Sequence, residues 1–266
     1  MADIESTTNS RIKGLVRLRK RRERDSTGLF LVEGERELES ALLGHEVLDL
    51  YVCEDLLTDH GARVYRTIVE GGAVPITSVT PPVLEKISLR GNPSGFVAVL
   101  RQWEAPLSGI PTDEALVLVV ESIEKPGNLG GMIRSANAAG ASVVVADATT
   151  DLFNSNVIRA SMGTLFTTPV AVASTTETLA WLDENEITVF ATTPAATKAH
   201  SEVELTQPCA LVVGSESTGL TDVWFGREQI LIPMTGTIDS LNASVSAGIV
   251  LFEAVRQRRL RATGNG

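Results

Sequence analysis

Three short stretches concentrate glycines, small polar residues and a few side chains able to hold a ligand. They are Lys125-Pro-Gly-Asn-Leu-Gly-Gly-Met-Ile-Arg134, Gly214-Ser-Glu-Ser-Thr-Gly219 and Ile232-Pro-Met-Thr-Gly-Thr-Ile-Asp-Ser-Leu-Asn-Ala-Ser244. Glycine lets a backbone approach a ligand closely, and the unpaired N–H groups at a helix start are ready donors. Asn128 and Asn242 offer amides that both donate and accept, and Ser240 offers a hydroxyl. Glu216 can fix its loop by accepting backbone N–H groups, or orient Arg134. Arg134, one helical turn after Gly130, is expected to face back toward the first stretch, where a guanidinium can grip phosphate with two parallel bonds. This is chemistry of binding and orientation. Histidine catalysis is not indicated: His45, His60 and His200 are scattered, and no serine elbow has a histidine partner. Cys53 and Cys209 show no metal-ligand spacing, and there is no metal cluster, dinucleotide fingerprint or Gly-Lys-Ser/Thr phosphate loop.

The elements that must position these residues alternate strand and helix. Ala115 to Val120 is a continuous apolar run, as in a parallel strand buried on both faces. The first stretch follows it as a loop leading into a helix over about 130–139. Cys209 to Val213 precedes the second stretch, and Gln229 to Ile232 precedes the third, where Pro233 ends strand pairing. Asp239 or Ser240 can cap a final helix that starts near Leu241. Along that helix Val245, Ile249, Phe252 and Val255 form one apolar stripe, and Arg256, Arg258, Arg259 and Arg261 suit the dipole at its end. Ligands of open α/β sheets collect at such carboxyl ends of strands.

Upstream, the spacing predicts a smaller α/β domain over residues 1–106, a Pro/Gly-marked linker at 107–114 and a second domain over 115–266. A basic helix is expected over 10–25, capped by Asn9 or Ser10. It carries Arg11, Lys13, Arg17, Arg19, Lys20, Arg21, Arg22 and Arg24. The chain of 266 residues has a net charge of −10, which excludes a wholesale polyanion binder, yet a local basic arm on an acidic body can hold a nucleic-acid backbone. At 43% hydrophobic it can bury a substantial core. Both cysteines lie by apolar runs and are expected as buried thiols in a reducing compartment. No segment resembles a signal peptide or a bilayer span, so a cytoplasmic protein is expected.

The three stretches in this order resemble the SpoU (TrmH-like) family of RNA ribose 2′-O-methyltransferases, within the SPOUT class. Asn128, Gly130 and Arg134 match its Asn-x-Gly-x-x-x-Arg motif, and Gly214, Glu216 and Gly219 match Gly-x-Glu-x-x-Gly. Ile232-Pro-Met234 and Ser240-Leu-Asn-Ala-Ser244 match the third. The first domain, with Phe30-Leu-Val-Glu-Gly34, is similar to the family's L30e-like substrate-binding domain. The resemblance implies a parallel sheet with a C-terminal trefoil knot that holds S-adenosylmethionine, with contacts around Thr192, Gly214, Ile232 and Leu241. It implies no metal, a homodimer, and catalytic duties for Asn128, Arg134, Glu216, Ser240 and Asn242. It implies structured RNA as substrate, 23S ribosomal RNA ahead of tRNA; the competing class is a non-catalytic RNA-binding assembly factor. Family proposals let the arginine matching Arg134 remove the 2′-hydroxyl proton. A guanidinium stays protonated at neutral pH, so gripping phosphate and stabilising the developing alkoxide fits better.

Overall fold

The computed structural model of the chain describes residues 2–238 and 240–264. It divides into two compact units, one formed by Met1–Trp103 and Asp151–Thr167, the other by Glu104–Thr150 and Thr168–Gly266.

In the first unit Asn9 accepts the N–H of Arg11 at 2.8 Å and caps α1 (Ser10–Arg17). The single basic helix expected over 10–25 is in fact two, with α2 (Arg21–Thr27) starting after a break. Arg24 explains the break. It is 4% exposed, pairs with Asp151, and donates to the carbonyls of Leu18 at 2.8 Å and Arg19 at 3.0 Å, which the end of α1 leaves free. Arg11 pairs with Asp49 at 2.7 Å, and Arg19 donates to the carbonyls of Lys86 and Ser88 at 2.9 and 2.7 Å. These three cations are therefore structural, whereas Lys13, Lys20 and Arg22 stand exposed. The chain continues through β1 (Leu29–Val32), α3 (Glu35–Ala41), β2 (Val47–Val52), α4 (Asp59–Gly71), β3 (Ile76–Ser78), α5 (Pro81–Ile87) and β4 (Phe96–Arg101). The sheet order is β1-β4-β2-β3, with only β2 and β3 parallel.

The second unit begins with the stretch read as a linker. It packs as part of the unit: Ile110 is buried, and just before the stretch the carbonyl of Ala105 accepts the N–H of Val172 at 2.7 Å. Then come β5 (Leu116–Glu121), α6 (Pro126–Ala139) and β6 (Ser142–Ala146). The next helix, α7 (Ser155–Ser161), belongs to the first unit. The chain returns with β7 (Val170–Ala173), α8 (Thr175–Glu184), β8 (Thr188–Thr192), β9 (Lys198–Ala199), β10 (Cys209–Val213), β11 (Glu228–Leu231) and α9 (Ala243–Ala262). Seven strands lie in the order β7-β6-β5-β10-β8-β11-β9, every pairing parallel. The architecture is thus α/β with a parallel sheet. Because β5, β10, β8 and β11 run parallel as neighbours, their carboxyl ends share one edge. Segments some 90 residues apart in sequence meet there for that reason.

Two expectations about α9 change. It starts at Ala243 with Asn242 as its cap, so Ser240 does not cap it, and Asp239 lies outside the described residues. Its buried residues are Ala243, Ala247, Val250, Leu251 and Ala254, while Val245 and Phe252 from the expected stripe face out at 49% and 47% exposure. The reason is a close approach to α6 that only small side chains permit: a Cβ at Gly131 would touch Ser244, and one at Gly248 would touch Ser135. Arg258 does more than complement the helix dipole. It donates to the carbonyls of Leu205, Gln207, Glu114 and Ala115 at 2.7–3.0 Å. Both cysteines are buried free thiols. No helix among the described residues is long and apolar enough to cross a membrane.

Candidate functional site

The first stretch is helical earlier than expected. Pro126 opens α6, so Asn128 lies within the helix and not in a loop. Proline suits that first position because its missing N–H would be unpaired there in any case. Asn128 is 9% exposed, and its amide is held at both ends. Its Nδ2 donates to Glu216 Oε1, and its Oδ1 accepts from Asn242 Nδ2 at 3.1 Å. Asn242 Oδ1 in turn accepts the N–H groups of Ser244 at 2.9 Å and Val245 at 3.4 Å. A single hydrogen-bonded chain, Glu216–Asn128–Asn242, therefore ties all three stretches together.

Glu216 also accepts the N–H of Glu124 at 3.3 Å, so it braces the loop after β5 and does not orient Arg134. Burial works against its charge. The backbone of its own loop, the Asn128 amide, the Glu124 N–H and the Lys125 charge outweigh that and hold its carboxyl below the usual glutamate range. The Gly214–Gly219 loop closes on itself through two Ser215–Gly219 backbone bonds of 3.1 Å. A Cβ at Gly214 would collide with the carbonyl of Gly219, and Gly219 itself has φ +71°. Both glycines are required by the turn. Beyond the loop, Thr221 donates its N–H and hydroxyl to buried Glu121 at 2.8 and 2.7 Å, and Thr175 donates to the same carboxylate at 3.1 Å. Sequence reasoning missed Glu121; its only signal was a lone acid closing an apolar run.

Around this chain of bonds lies a cavity of ≈620 Å³. Thr192, Gly214, Glu216, Ile232, Ser240, Leu241 and Asn242 line it, as do Lys125 and Ser246, which the sequence did not single out. The hydroxyl of Thr192 is buried without a hydrogen-bond partner among the described residues. Asn128 stands behind the wall and not in the lining. Arg134 is not in the lining either; it is exposed on α6 and has no partner among the described residues. Among the described residues no group of three His, Cys, Asp or Glu side chains could hold a metal ion.

Comparison with known proteins finds one family over each half of the sequence. Residues 115–252 match the SpoU rRNA Methylase family, and residues 9–98 match an MRM3-like substrate binding domain. The chain is 31% identical to the 23S rRNA (uridine(2479)-2'-O)-methyltransferase of Streptomyces viridochromogenes over 90% of its length and 86% of that protein's. It is 28% identical to the 23S rRNA (guanosine(2553)-2'-O)-methyltransferase RlmP of Bacillus subtilis, over 95% of this chain and 98% of that one. Among solved structures, the SpoU methyltransferase AviRb from Streptomyces viridochromogenes in complex with AdoMet superposes with a TM-score of 0.85 at 30% identity, over 94% of this chain and 99% of that one.

Proposed function

The chain belongs to the SpoU rRNA methylase family, and from that premise we propose that it methylates a ribose 2′-hydroxyl of structured RNA, 23S ribosomal RNA first, with S-adenosylmethionine as donor. The observation that carries the reading is the Glu216–Asn128–Asn242 chain, which joins the three stretches around one cavity. The residues present fit the donor. The volume of ≈620 Å³ lies within the ordinary range for ligand pockets, about 300–1,000 Å³, and the unpartnered Thr192 hydroxyl supplies a donor and acceptor for a nucleoside.

When bound, S-adenosylmethionine supplies a methyl group on a sulfonium, activated for displacement by an oxygen. The chain's own part is to orient and to exclude water. Backbone groups at Gly214, Ile232 and Leu241, with the Thr192 side chain, hold the adenosine part. Asn128 and Asn242, each fixed by the other, set the wall against which the 2′-oxygen is positioned, and exposed Ser240 meets the ribose at the rim. Arg134, without a partner among the described residues, grips the phosphate beside the target ribose and stabilises the oxyanion as its proton leaves to solvent. Alignment of this kind supplies roughly 7–11 kcal/mol in well-oriented reactions, so a site built of orienting groups is enough.

The trefoil knot of the SPOUT class is part of this reading and fits the insertion of β10 between β5 and β8. So is a homodimer, supported by the outward Val245 and Phe252 of α9; Phe252→Glu should then yield monomer by light scattering where the wild type is dimeric. The first unit is the proposed RNA-binding module, with Lys13, Lys20 and Arg22 toward phosphates, and the proposed location is the cytoplasm.

The test is a map of 2′-O-methyl sites in 23S ribosomal RNA and tRNA from cells with and without the gene. A single ribosomal ribose that loses its methyl, restored by the wild type and not by Arg134→Ala, is expected. A change confined to tRNA would replace the proposed substrate, and calorimetry showing no binding of S-adenosylmethionine would remove the activity.

A further inference from the structure

Among the described residues, only two that line the cavity are charged, Lys125 and Glu216. They differ in how they are engaged. Glu216 is occupied by the Asn128 amide and the Glu124 N–H. Lys125 is exposed at the entry to α6; its carbonyl accepts the N–H groups of Asn128 and Leu129 at 3.0 and 3.1 Å, but its ammonium makes no hydrogen bond or ion pair to any described residue. A cation that a protein places on a cavity wall without a partner is available to an anion from outside. The same cavity holds the unpartnered Thr192 hydroxyl, a second group awaiting a ligand atom.

We propose that Lys125 is the anion-holding residue of this cavity and takes the carboxylate at the amino-acid end of the bound methyl donor. The inference rests on the methyl-donor reading and deepens it. An ammonium on a four-carbon stem presents three donors from a compact charge and follows a small carboxylate as it settles. Phosphate of the RNA is the weaker assignment, because Lys125 lies in the cavity lining with Glu216, whereas the unpartnered Arg134 lies outside it. The Lys125 charge is also felt inside the cavity, since it helps to hold the Glu216 carboxyl low. Neither Asn-x-Gly-x-x-x-Arg nor the other two motifs includes this position.

The test uses the full-length protein, with Lys125→Met and Lys125→Arg beside the wild type. Two probes differ in the group at issue: S-adenosylhomocysteine carries the carboxylate, and 5′-methylthioadenosine keeps the nucleoside but lacks the amino-acid end. Titration calorimetry should show Lys125→Met binding S-adenosylhomocysteine about tenfold or more weakly, as for loss of a charged hydrogen bond. Its affinity for methylthioadenosine should be unchanged, and Lys125→Arg should recover most of the loss. Because Lys125 is exposed and unpaired, both variants should melt with the wild type. An equal loss for both probes, or no loss for either, overturns the proposal, and a rise confined to the RNA KM reassigns the lysine to phosphate. Failure of the wild type to bind either probe would sink the methyl-donor reading itself, a separate result.

Discussion

Asn242 serves two helices with one side chain. Its Nδ2 donates to Asn128 Oδ1 on α6 at 3.1 Å, and its Oδ1 accepts the Ser244 N–H at 2.9 Å to cap α9. The amide of Asn128 is thereby left with one orientation, Nδ2 toward Glu216. The conformation of the site and the start of the last helix are consequently one event. Substitutions along this line should be felt in both.

Asn128→Asp tests the orientation directly. The new carboxylate would lose the donor to Glu216 and face a second negative charge across the same contact, so one of the two must take up a proton. Asn128→Asp should destabilise at least as much as Asn128→Ala, by about 1–3 kcal/mol for an unmet buried partner. Urea unfolding and S-adenosylhomocysteine titration read both effects. An Asp variant as stable as the wild type would show that the bond to Glu216 is dispensable.

Arg134→Ala should separate chemistry from binding. The side chain is exposed, has no partner among the described residues, and is absent from the cavity lining. Stability should therefore stay within about 0.5 kcal/mol and donor affinity should be kept, while RNA methylation falls to background. Methyl transfer from labelled donor to ribosomal RNA measures it, and normal turnover would remove Arg134 from the mechanism.

Gly214→Ala should be among the most damaging single changes at the site. The added methyl has the Gly219 carbonyl in its place, so the loop must open. Overpacking of this kind costs about 1–3 kcal/mol. The loss should appear chiefly as weaker donor binding, because the distorted backbone is itself cavity wall. Gly236→Ala, with nothing near its Cβ, is the control and should behave as wild type.

The pH dependence follows from Glu216. Its folded carboxyl titrates below the ordinary range, so its contribution to stability is fully present above the unfolded value of about 4.3 and is lost as pH falls through the folded one. Donor affinity should be flat from neutral pH down to that range and drop beneath it. In Glu216→Gln the drop should vanish, with weaker binding throughout. An affinity that already fell between pH 7 and 5 in the wild type would point to another group.

The three functional stretches were legible because their chemistry is carried by residue types that are conspicuous when concentrated: glycines in tight turns, paired asparagines, an acid and an arginine. What escaped reading is packing. Pro126-Gly-Asn-Leu-Gly-Gly131 has poor helix formers and reads as loop, yet it is helical because glycine and serine let α6 lie against α9. The same closeness buries alanines of α9 and turns Val245 and Phe252 outward, where hydrophobicity alone would put them inside. Arg24 and Arg258 read as surface charge because sequence does not show the distant groups they reach, the Asp151 carboxylate and the Ala115 carbonyl. β9, two residues long, is below what any periodicity can reveal. Membership of residues 151–167 in the first unit is a tertiary fact with no local mark.

The solitary hydroxyl of Thr192 has one more implication. A buried hydroxyl that no described protein group satisfies costs about 1–3 kcal/mol wherever water does not reach it. Thr192→Val, of nearly the same shape, should melt at a higher temperature when empty, yet gain less from added donor than the wild type does. At this position the protein gives up ruggedness at rest in order to respond when loaded.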